Sequence, residues 1–516
     1  MPTTTVDDSL TSDLTADLSF SGDTTVPVIA PFTGTKLYDL PASSAVDVAE
    51  AAAAARVAQR AWYSAGPSER RRILLTGHDR FIAKRDQLLD LLQTETGKSR
   101  GPAFEEFFQS ASATRYAALS AAGVMKTRGR RAGIPLVMRT RVSFKPKGVV
   151  AVITPWNYPL SLGLMDVMPA LATGNAVVQK IDSQTALTML TARRAFIEAG
   201  LPAALWAIVA GDPNEIGNAV VDEGDYVCFT GSTPTGIKVG QRALGRVAGA
   251  SLELGGKNPM IVLDDADIQK AAGSATYACF SSMGQLCVSV ERIYVHQAVA
   301  EAFTDAFVQR VKNMVQGPQL DFTTDIGSLA SAAQLERVTA HVDDALAKGA
   351  TLLAGGRQRP DLGPYFYEPT VLSGVTSDML CFTNETFGPV VELAVVADED
   401  EAIAAANATE FGLNASIYSG SKSRARRLAD RISAGSVNIN EGYRSSFGSI
   451  DAPMGGMKHS GLGRRNGREG LLRFVESRTV AEATGIISLP DTGLGWGRLA
   501  GLLEFMLKAL KSLRRK

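Results

Sequence analysis

Short apolar runs that alternate with helical patterns are the feature that most constrains the fold of this chain. The run VVAVI (Val149 to Ile153) ends at a proline-rich loop, and AVVQK (Ala176 to Lys180) precedes a helical pattern from about Ser183 to Ala199. Such runs are typical of strands buried on both faces, and helices between them indicate parallel βαβ units. Further runs of this kind are AIVAG, YVCFTGS, PMIVL, RIYV, TLLAG, VVELAVV and ASIYSG. The pattern predicts an α/β fold with ligands bound at the ends of strands.

Length, charge and cysteine content narrow the class of protein. A chain of 516 residues is long enough for roughly two to four domains, and its formal net charge of zero argues against a strongly basic nucleic-acid-binding protein. We find no secretory leader pattern and no apolar stretch long enough to span a bilayer, so we expect a cytoplasmic enzyme or binding protein. The cysteines are too few and too widely spaced for a disulfide framework. They are Cys228, Cys279, Cys287 and Cys381.

The two ends of the chain differ from the rest. The N-terminus is rich in Asp, and we predict that residues 1–28 form a solvated, disordered tail. At the other end we predict an amphipathic helix over residues 497–516, docked on its own subunit or a neighbour. Contact with an anionic membrane surface is the alternative, because the helix ends on basic residues. Its apolar stripe consists of Leu499, Leu502, Leu503, Met506, Leu510 and Leu513.

One internal segment, Lys126 to Lys147, is locally basic. We interpret it as a solvated hairpin or a subunit contact rather than a nucleic-acid site, because the charge is local and few aromatic residues interleave with it.

Three strand-end loops carry residues suited to chemistry. In TPWNYP, two prolines would hold the side-chain amide of Asn157 rigidly where it could stabilise an oxyanion. FTGSTPTG follows a strand and opens a helix, which is a favourable place for a phosphate group. LELGGKNPMIV puts Glu253 beside two glycines, where a partly desolvated carboxylate could act as a general base. Taken alone, each loop is more simply explained as an ordinary turn or a surface carboxylate.

A fourth stretch, FSSMGQLCVSVERIYV, holds Cys287. A cysteine there could be a core residue, half of a disulfide, a metal ligand or a nucleophile. The histidines make no pair at metal-ligand spacing and the cysteines form no C-x-x-C motif, which argues against a metal site. A Cys-His dyad is equally disfavoured, because no histidine lies in a comparable loop.

Together these motifs resemble one family. TPWNYP, FTGSTPTG, LELGGKNP, GQLC, NETFGPV and PMGGMKHSGLGRR occur in that order, as in the aldehyde dehydrogenase superfamily, over about Ala30 to Val480. With its KxxS and NEGYRSSFGS segments, the chain looks most similar to bacterial succinate-semialdehyde dehydrogenases of the NADP type. The resemblance implies a Rossmann-like cofactor domain, an α/β catalytic domain and a small β-ribbon that joins subunits into a homodimer or homotetramer. The implied ranges are 29–126 and 148–255 for the cofactor domain, 256–458 for the catalytic domain, and 127–147 with 470–485 for the ribbon.

The resemblance also implies roles for individual residues. Cys287 would attack the aldehyde carbonyl as a thiolate, and Asn157 with the Cys287 backbone N–H would hold the oxyanion. Glu253 would then activate the water that cleaves the thioester. Glu385 would bind the nicotinamide ribose. The other three cysteines would be small buried hydrophobic residues. The further cofactor residues implied are Trp156, Asn157, Gly231, Ser232, Leu254 and Phe387, with Gly231 and Ser232 at the pyrophosphate.

The choice of cofactor rests on the stretch Lys180-Ile181-Asp182-Ser183. Many members of the family carry K-P-x-E here, and the Glu binds the ribose hydroxyls. Ser183 replaces that Glu and can donate to a 2′-phosphate, and Lys180 can pair with it, so we predict NADP with NAD as the alternative. An Asp182 carboxylate that pointed inward would oppose this choice.

For the substrate we predict succinate semialdehyde. Some enzymes of that activity clamp the substrate carboxylate with two arginines, at positions occupied here by Met165 and Ser281. Arg444 could replace the clamp or project into solvent. Tyr158, Met165 and Leu286 suit an apolar aldehyde equally, so a broad aliphatic or aromatic aldehyde dehydrogenase is the first alternative. A structural or binding relative without activity is the second.

Overall fold

The structure is a computed structural model that describes residues 6–133, 137–485 and 495–512. The strands are β1 (Thr25–Ile29), β2 (Lys36–Pro41), β3 (Arg128–Arg130), β4 (Met138–Pro146), β5 (Val149–Ile153), β6 (Ala176–Lys180), β7 (Trp206–Val209), β8 (Tyr226–Thr230), β9 (Gly249–Glu253), β10 (Asn258–Val262), β11 (Val290–His296), β12 (Thr351–Ala354), β13 (Thr370–Ser373), β14 (Val390–Val396), β15 (Asn414–Tyr418), β16 (Ser436–Ile439), β17 (Gly461–Leu462) and β18 (Val475–Ala483). The two apolar runs at Val149 and Ala176 form β5 and β6 with the predicted bounds.

Helices separate the successive strands from β5 to β9, as the sequence pattern predicts. They are α1 (Asp8–Thr15), α2 (Ala45–Ser64), α3 (Gly66–Ala83), α4 (Arg85–Thr96), α5 (Arg100–Val124), α6 (Pro159–Ala172), α7 (Ala186–Ile197), α8 (Pro213–Glu223), α9 (Thr233–Gly245), α10 (Ile268–Phe280), α11 (Ala300–Lys312), α12 (Ala332–Ala347), α13 (Leu380–Thr383), α14 (Glu399–Asn407), α15 (Lys422–Ala429), α16 (Arg444–Phe447), α17 (Gly467–Leu472) and α18 (Trp496–Ser512).

The first parallel sheet has the strand order β17-β9-β8-β5-β6-β7, with β17 antiparallel at one edge. Every residue of β6 and β8 is buried, which explains their continuous apolar sequences. The strands β5, β6, β8 and β9 run in the same direction. Their carboxyl ends therefore bring Asn157, Lys180, Gly231 and Glu253 to one edge of this sheet.

The second sheet has the order β12-β13-β14-β11-β10-β15-β16 and is parallel except for β12. It contributes to the site through its amino ends, because Asn258 begins β10, Cys287 shortly precedes β11 and Glu385 shortly precedes β14. A hydrogen bond from Asn157 to Gln285 O joins the two edges. The candidate site therefore lies between the carboxyl edge of one sheet and the amino edge of the other.

A third, antiparallel sheet has the order β18-β4-β3. Its residues are mostly exposed, and it falls within the segments predicted as the ribbon, of which residues 134–136 lie outside the described part of the chain. That this ribbon joins subunits remains a prediction.

The N-terminal segment corrects the prediction of a disordered tail over residues 1–28. Residues 1–5 lie outside the described part, but α1 follows them and β1 pairs with β2. Asp7 caps α1, since its carboxylate accepts a hydrogen bond from Ser9 N at 2.8 Å.

Side-chain contacts explain why this segment is ordered. Leu14, near the end of α1, and Leu18, just beyond it, are both buried. Arg194 on α7 binds both Asp13 and Asp17, the latter at 2.9 Å from its Nε. Two of the acidic residues that suggested a solvated tail are therefore partners of an arginine on α7.

The C-terminal helix α18 is covered only in part. Leu499 is buried and Leu503 is half-buried, whereas Leu502, predicted on the same stripe, is 56% exposed. Residues 513–516 of the predicted helix lie outside the described part of the chain. None of the described helices combines the length and the apolar character needed to cross a bilayer.

Candidate active site

Hydrogen bonds from two neighbouring loops fix the loop that carries Cys287. Asn157 Nδ2 donates to Gln285 O at 2.9 Å, and Asn258 Nδ2 donates to Cys287 O at 2.8 Å. Gly256 permits this approach, because a Cβ there would lie 2.7 Å from the Cys287 carbonyl oxygen. The part-buried thiol is thus presented by a well-anchored loop, while the other three cysteines are buried in the cores.

A buried ion pair holds the loop that carries Asn157. Lys98 Nζ donates to Asn157 O at 2.7 Å and also binds the Glu106 carboxylate. The second oxygen of Glu106 accepts from Leu160 N at 2.7 Å and Ser161 N at 3.2 Å, in the first turn of α6. Because Asn157 is fixed on its backbone side and donates one amide hydrogen to Gln285, the other amide hydrogen is left to meet a ligand.

Glu253 ends β9 with its carboxyl group buried. Its Oε1 atom makes no hydrogen bond to the described residues. Burial raises the pKa of Glu253 to about 7, with Arg465 opposing the rise. A carboxyl group with this pKa is partly ionised near neutral pH, as a general base requires.

A buried charge network supports the Glu253 region. Asp166 accepts from Arg465 Nε at 2.9 Å and Nη2 at 2.6 Å, and also binds Arg473. Burial alone would raise the pKa of Asp166, but the two guanidinium groups lower it below its ordinary value. Arg465 also donates to Thr230, the residue before Gly231. The network therefore supports both the region of Glu253, the candidate base, and the turn that begins at Gly231.

The thiol of Cys287 is protonated at rest. Burial raises the pKa of Cys287 to about 12, and the carboxylates of Glu385 and Glu253 add to the rise. Attack by this sulfur therefore needs a base that removes its proton.

The side chain of Glu291 anchors the NETFGPV loop. This carboxylate accepts from Thr386 N and Phe387 N, each at 3.0 Å. Glu385 Oε1 accepts from Gly256 N at 2.8 Å, and burial raises the pKa of Glu385 to about 8. The predicted ribose-binding carboxylate thus lies against the glycines that follow Glu253.

The predicted catalytic residues and most predicted cofactor residues line one cavity of about 170 Å³. Asn157, Glu253 and Cys287 meet there. The cofactor residues that line it are Trp156, Gly231, Ser232, Leu254, Glu385 and Phe387. At its edge α9 begins without a side-chain cap, so the backbone N–H groups of its first turn face no capping side chain.

Lys180 and Ser183 are not among the residues that line this cavity. Burial lowers the pKa of Lys180, with Asp182 and Asp212 opposing the shift. Ser183 opens a short 3₁₀ turn, in which Asp182 Oδ1 accepts from Gln184 N at 3.0 Å. The Asp182 carboxylate is thus engaged by the turn.

The three predicted substrate residues lie outside the cavity as well. Tyr158 and Met165 are buried in the core around the second sheet. Arg444 is about half exposed and makes two hydrogen bonds to Glu441, at 3.2 and 3.1 Å. Its guanidinium lies over the Tyr277 ring at 4.5 Å.

Several groups in and around the site have no recognisable sequence signal. Gln334 and Arg337 of α12 line the cavity, but an exposed Arg on an amphipathic helix carries no sequence signal. Lys98 and Glu106 were equally hidden, because their pairing and its contact with Asn157 exist only in the folded chain.

Comparison with known proteins gives a consistent result. The model of the aldehyde dehydrogenase family matches residues 19–480. A relative in Mycobacterium bovis strain BCG, provisionally named succinate-semialdehyde dehydrogenase (NADP+) 2, is 50% identical over 88% of this chain and 87% of its own. An Escherichia coli NADP-dependent enzyme superposes with a TM-score of 0.87 at 33% identity, covering 90% of this chain and 96% of its own. Staphylococcus aureus betaine aldehyde dehydrogenase in complex with NAD+ superposes with a TM-score of 0.86 at 30% identity. The match covers 93% of this chain and 99% of the S. aureus chain. This chain belongs to the aldehyde dehydrogenase family.

Proposed function

We propose that this protein oxidises an aldehyde to a carboxylic acid with NADP, and that Cys287, Glu253 and Asn157 carry the chemistry. The observation that supports this most strongly is the meeting, in one cavity, of a thiol, a carboxyl group with a pKa of about 7 and a free amide hydrogen. A scaffold protein would need none of these three groups together.

The first half of the reaction forms a bond to sulfur. Glu253 removes the proton of Cys287, and the thiolate attacks the carbonyl carbon to give a thiohemiacetal. The oxyanion accepts hydrogen bonds from Asn157 Nδ2 and the Cys287 backbone N–H, and one such donor is worth about 3 kcal/mol. When bound, NADP supplies the hydride acceptor that turns this adduct into a thioester.

The second half releases the acid. Glu253, having passed its proton to solvent, takes a proton from water, and the resulting hydroxide attacks the thioester carbonyl. The carbon–sulfur bond breaks, and the Cys287 thiolate is protonated again. Because Glu253 is partly ionised at neutral pH, it can serve in both halves.

The residues present fit a nicotinamide dinucleotide. The uncapped start of α9 beside Gly231 and Ser232 suits a pyrophosphate, and Glu385 suits a ribose hydroxyl pair. The names of the M. bovis relative and the E. coli enzyme support NADP, and so do Lys180 and Ser183. NAD is the alternative, since the S. aureus enzyme binds NAD+.

The proposed substrate is succinate semialdehyde. Its support is the name of the M. bovis relative, at 50% identity. The position of Arg444, half exposed and bound to Glu441, does not favour it as the substrate clamp. A broad aliphatic or aromatic aldehyde is the second candidate, because Met165 and Leu286 belong to the apolar core around the second sheet.

We further propose that the enzyme acts in the cytoplasm as a homodimer or homotetramer joined through the exposed ribbon of β3, β4 and β18. Helix α18 would dock on its own subunit or a neighbour, since part of its stripe is already covered.

The decisive assay measures turnover of a panel of aldehydes, each with NADP and with NAD. We expect the highest kcat/KM for succinate semialdehyde with NADP. A higher kcat/KM for neutral aldehydes would mean that the substrate is a neutral aldehyde, and a preference for NAD would mean that NAD is the cofactor. If no aldehyde were turned over, the proposal would be wrong.

A further inference from the structure

The turn that carries Ser183 leads directly into α7, and residues far away in the sequence hold the two together. The turn spans Ser183–Thr185, and α7 begins at Ala186. Thr185 occupies the N-cap position, but its side chain makes no capping hydrogen bond within the described part of the chain. The N–H groups at the start of α7 therefore need a partner from another element.

Glu95, the last residue but one of α4, supplies that partner. Its side chain is fully buried. Its Oε1 atom accepts from Leu187 N at 3.0 Å, and Oε2 accepts from Thr188 N at 3.0 Å and Thr188 Oγ1 at 2.6 Å. A carboxylate in this place satisfies N–H groups of the first turn and is favoured by the partial positive charge of the helix start. One side chain from α4 thus caps the helix that follows the Ser183 turn.

The turn itself is bound to the same residue. Gln184 Nε2 donates to Glu95 O at 2.8 Å and to Ile29 O at 2.7 Å. Ser183 is half-buried, and its hydroxyl makes no hydrogen bond to the described residues. The turn is therefore fixed through Gln184 and α7, while the Ser183 hydroxyl is left to meet a ligand.

The N-terminal segment completes the support of α7. Tyr38 of β2 donates its phenol hydrogen to the Glu95 carboxylate at one end of the helix. Near the other end, Arg194 binds Asp13 and Asp17. The segment that the sequence predicted to be disordered up to residue 28 therefore helps to hold α7 at both ends.

The start of α7 differs from the start of α9, which receives no capping side chain from the described residues. In α7 the N–H groups of Leu187 and Thr188 are already occupied by Glu95. A phosphate at this end of the site would have to be bound by side chains instead, and Lys180 and Ser183 are the predicted ones. Its recognition therefore depends on where the turn holds Ser183.

We propose that Glu95 is a positioning residue for the recognition of NADP, and that with Tyr38 and Gln184 it fixes the turn on which Ser183 meets the 2′-phosphate. The inference rests on the proposed NADP dependence and deepens it. Lys180 ends β6 and is held by the sheet, so a shift of the turn would move Ser183 relative to Lys180. Because both groups must reach one phosphate, such a shift should weaken NADP more than NAD, which lacks that phosphate.

The test measures the dissociation constants of NADP and NAD by titration calorimetry on the resting enzyme, without aldehyde. Tyr38→Phe removes one hydroxyl, and Glu95→Gln replaces an acceptor oxygen with a donor amide. Each should lower the preference for NADP over NAD by about two- to tenfold, the effect of one neutral hydrogen bond. Tyr116→Phe is the matched control, because it removes a phenol that donates to Asp451 at 2.6 Å, and it should leave the preference unchanged.

A Ser183→Ala background separates positioning from a general loosening of the fold. If Glu95 acts through Ser183, Tyr38→Phe and Glu95→Gln should change the preference less in this background than in the wild type. Thermal melting checks that each variant is folded, and Tyr38→Phe keeps the ring that packs in the core if Glu95→Gln does not fold. Equal changes in both backgrounds, or no change in a folded Tyr38→Phe, would overturn the inference.

Failure of the proposed cofactor is distinguishable from failure of the positioning role. A wild type that binds NAD more tightly than NADP would reject NADP as the cofactor. The ratio of the two dissociation constants should still shift in Tyr38→Phe, because it reports the placement of Ser183 whichever cofactor is preferred. A wild type that prefers NADP, with no shift in the variants, would overturn the positioning role alone.

Discussion

The two sides of Cys287 are built in different ways. On the cofactor side, hydrogen bonds join single side chains to backbone groups of the motif loops, as when Glu385 accepts from Gly256 N and Asn258 Nδ2 donates to Cys287 O. On the other side, the polar groups are side chains from separate helices, with Glu105 and Tyr277 as the principal pair.

We expect this difference to separate the residues that carry the reaction from those that select the substrate. Side chains that are bound to the backbone of glycine-rich loops tolerate few substitutions. This suits the chemical steps that are the same for every aldehyde. Side chains on helices, such as Glu105 and Tyr277, can be exchanged without altering the loops, which suits the choice among aldehydes. We therefore expect substitutions on the motif side to reduce turnover of every aldehyde and those on the other side to change ratios between aldehydes.

The largest effect is expected for Cys287→Ala, on the motif side. Removal of the nucleophile should lower kcat by about 10⁴-fold or more for every aldehyde, while cofactor binding persists. The matched control is Cys279→Ala, which removes a buried thiol on the preceding helix and should affect mainly stability. If Cys279→Ala lost activity while Cys287→Ala kept it, the nucleophile would be Cys279 and not Cys287.

The next effect concerns Lys98, which acts on the reaction only through Asn157. Lys98→Met should lower kcat by about 10- to 100-fold, because a small displacement of the oxyanion donor is costly. It should also destabilise the fold by about 3–5 kcal/mol, since Glu106 is left buried and unpaired.

The double variant Lys98→Met/Glu106→Leu separates these two effects. It should recover thermal stability but not kcat, because Asn157 O and the start of α6 remain unsupported. Recovery of both would show that the pair has only a structural role.

A smaller effect is expected at the far end of the cofactor site. Ser183→Glu should lower the NADP-to-NAD ratio of kcat/KM by about tenfold or more, because a carboxylate would face the 2′-phosphate. Kinetics with both cofactors at one salt concentration measure this ratio. Ser183→Ala is the control, and an unchanged ratio in Ser183→Glu would exclude this position as the determinant.

The smallest effect is on the pH profile. Burial raises the pKa of Glu253 to about 7, so this base is ionised above that value and activity should be lost as pH falls through it. The ionised fraction changes by about tenfold between about pH 6 and pH 8, and kcat should follow it. The Glu385→Gln variant should keep this inflection in the pH profile. If the Glu253→Gln variant kept the inflection as well, the inflection would belong to a group other than Glu253.

The sequence predicted the elements and the motif side of the site well, for a physical reason. The apolar runs that become β5 and β6 are local signals, and parallel strands bring their carboxyl ends together wherever the helices lie. Asn157 and Glu253 lie at the carboxyl ends of two such strands, whereas their grouping with Cys287, at the amino edge of the other sheet, was predicted only from the family resemblance.

The other parts depend on contacts between distant segments. The Asp residues of the N-terminus looked like solvated charge because their partner, Arg194, lies far along the chain. Glu105 on α5 carries no sequence signal, and only the fold brings Tyr277 and Tyr443 to it. Arg444 is a different case, because its partner Glu441 lies only three residues earlier, and that spacing alone did not show that the two side chains pair.

The most direct test of the central account is the intact mass of Glu253→Gln after it is mixed with NADP and the best aldehyde of the panel. We predict at most one equivalent of NADPH per site and a mass increase equal to the acyl group, located on the peptide that contains Cys287. The wild type should show continuous turnover without that adduct. Continuous turnover by Glu253→Gln at the wild-type rate, or an acyl group on any residue other than Cys287, would contradict the account.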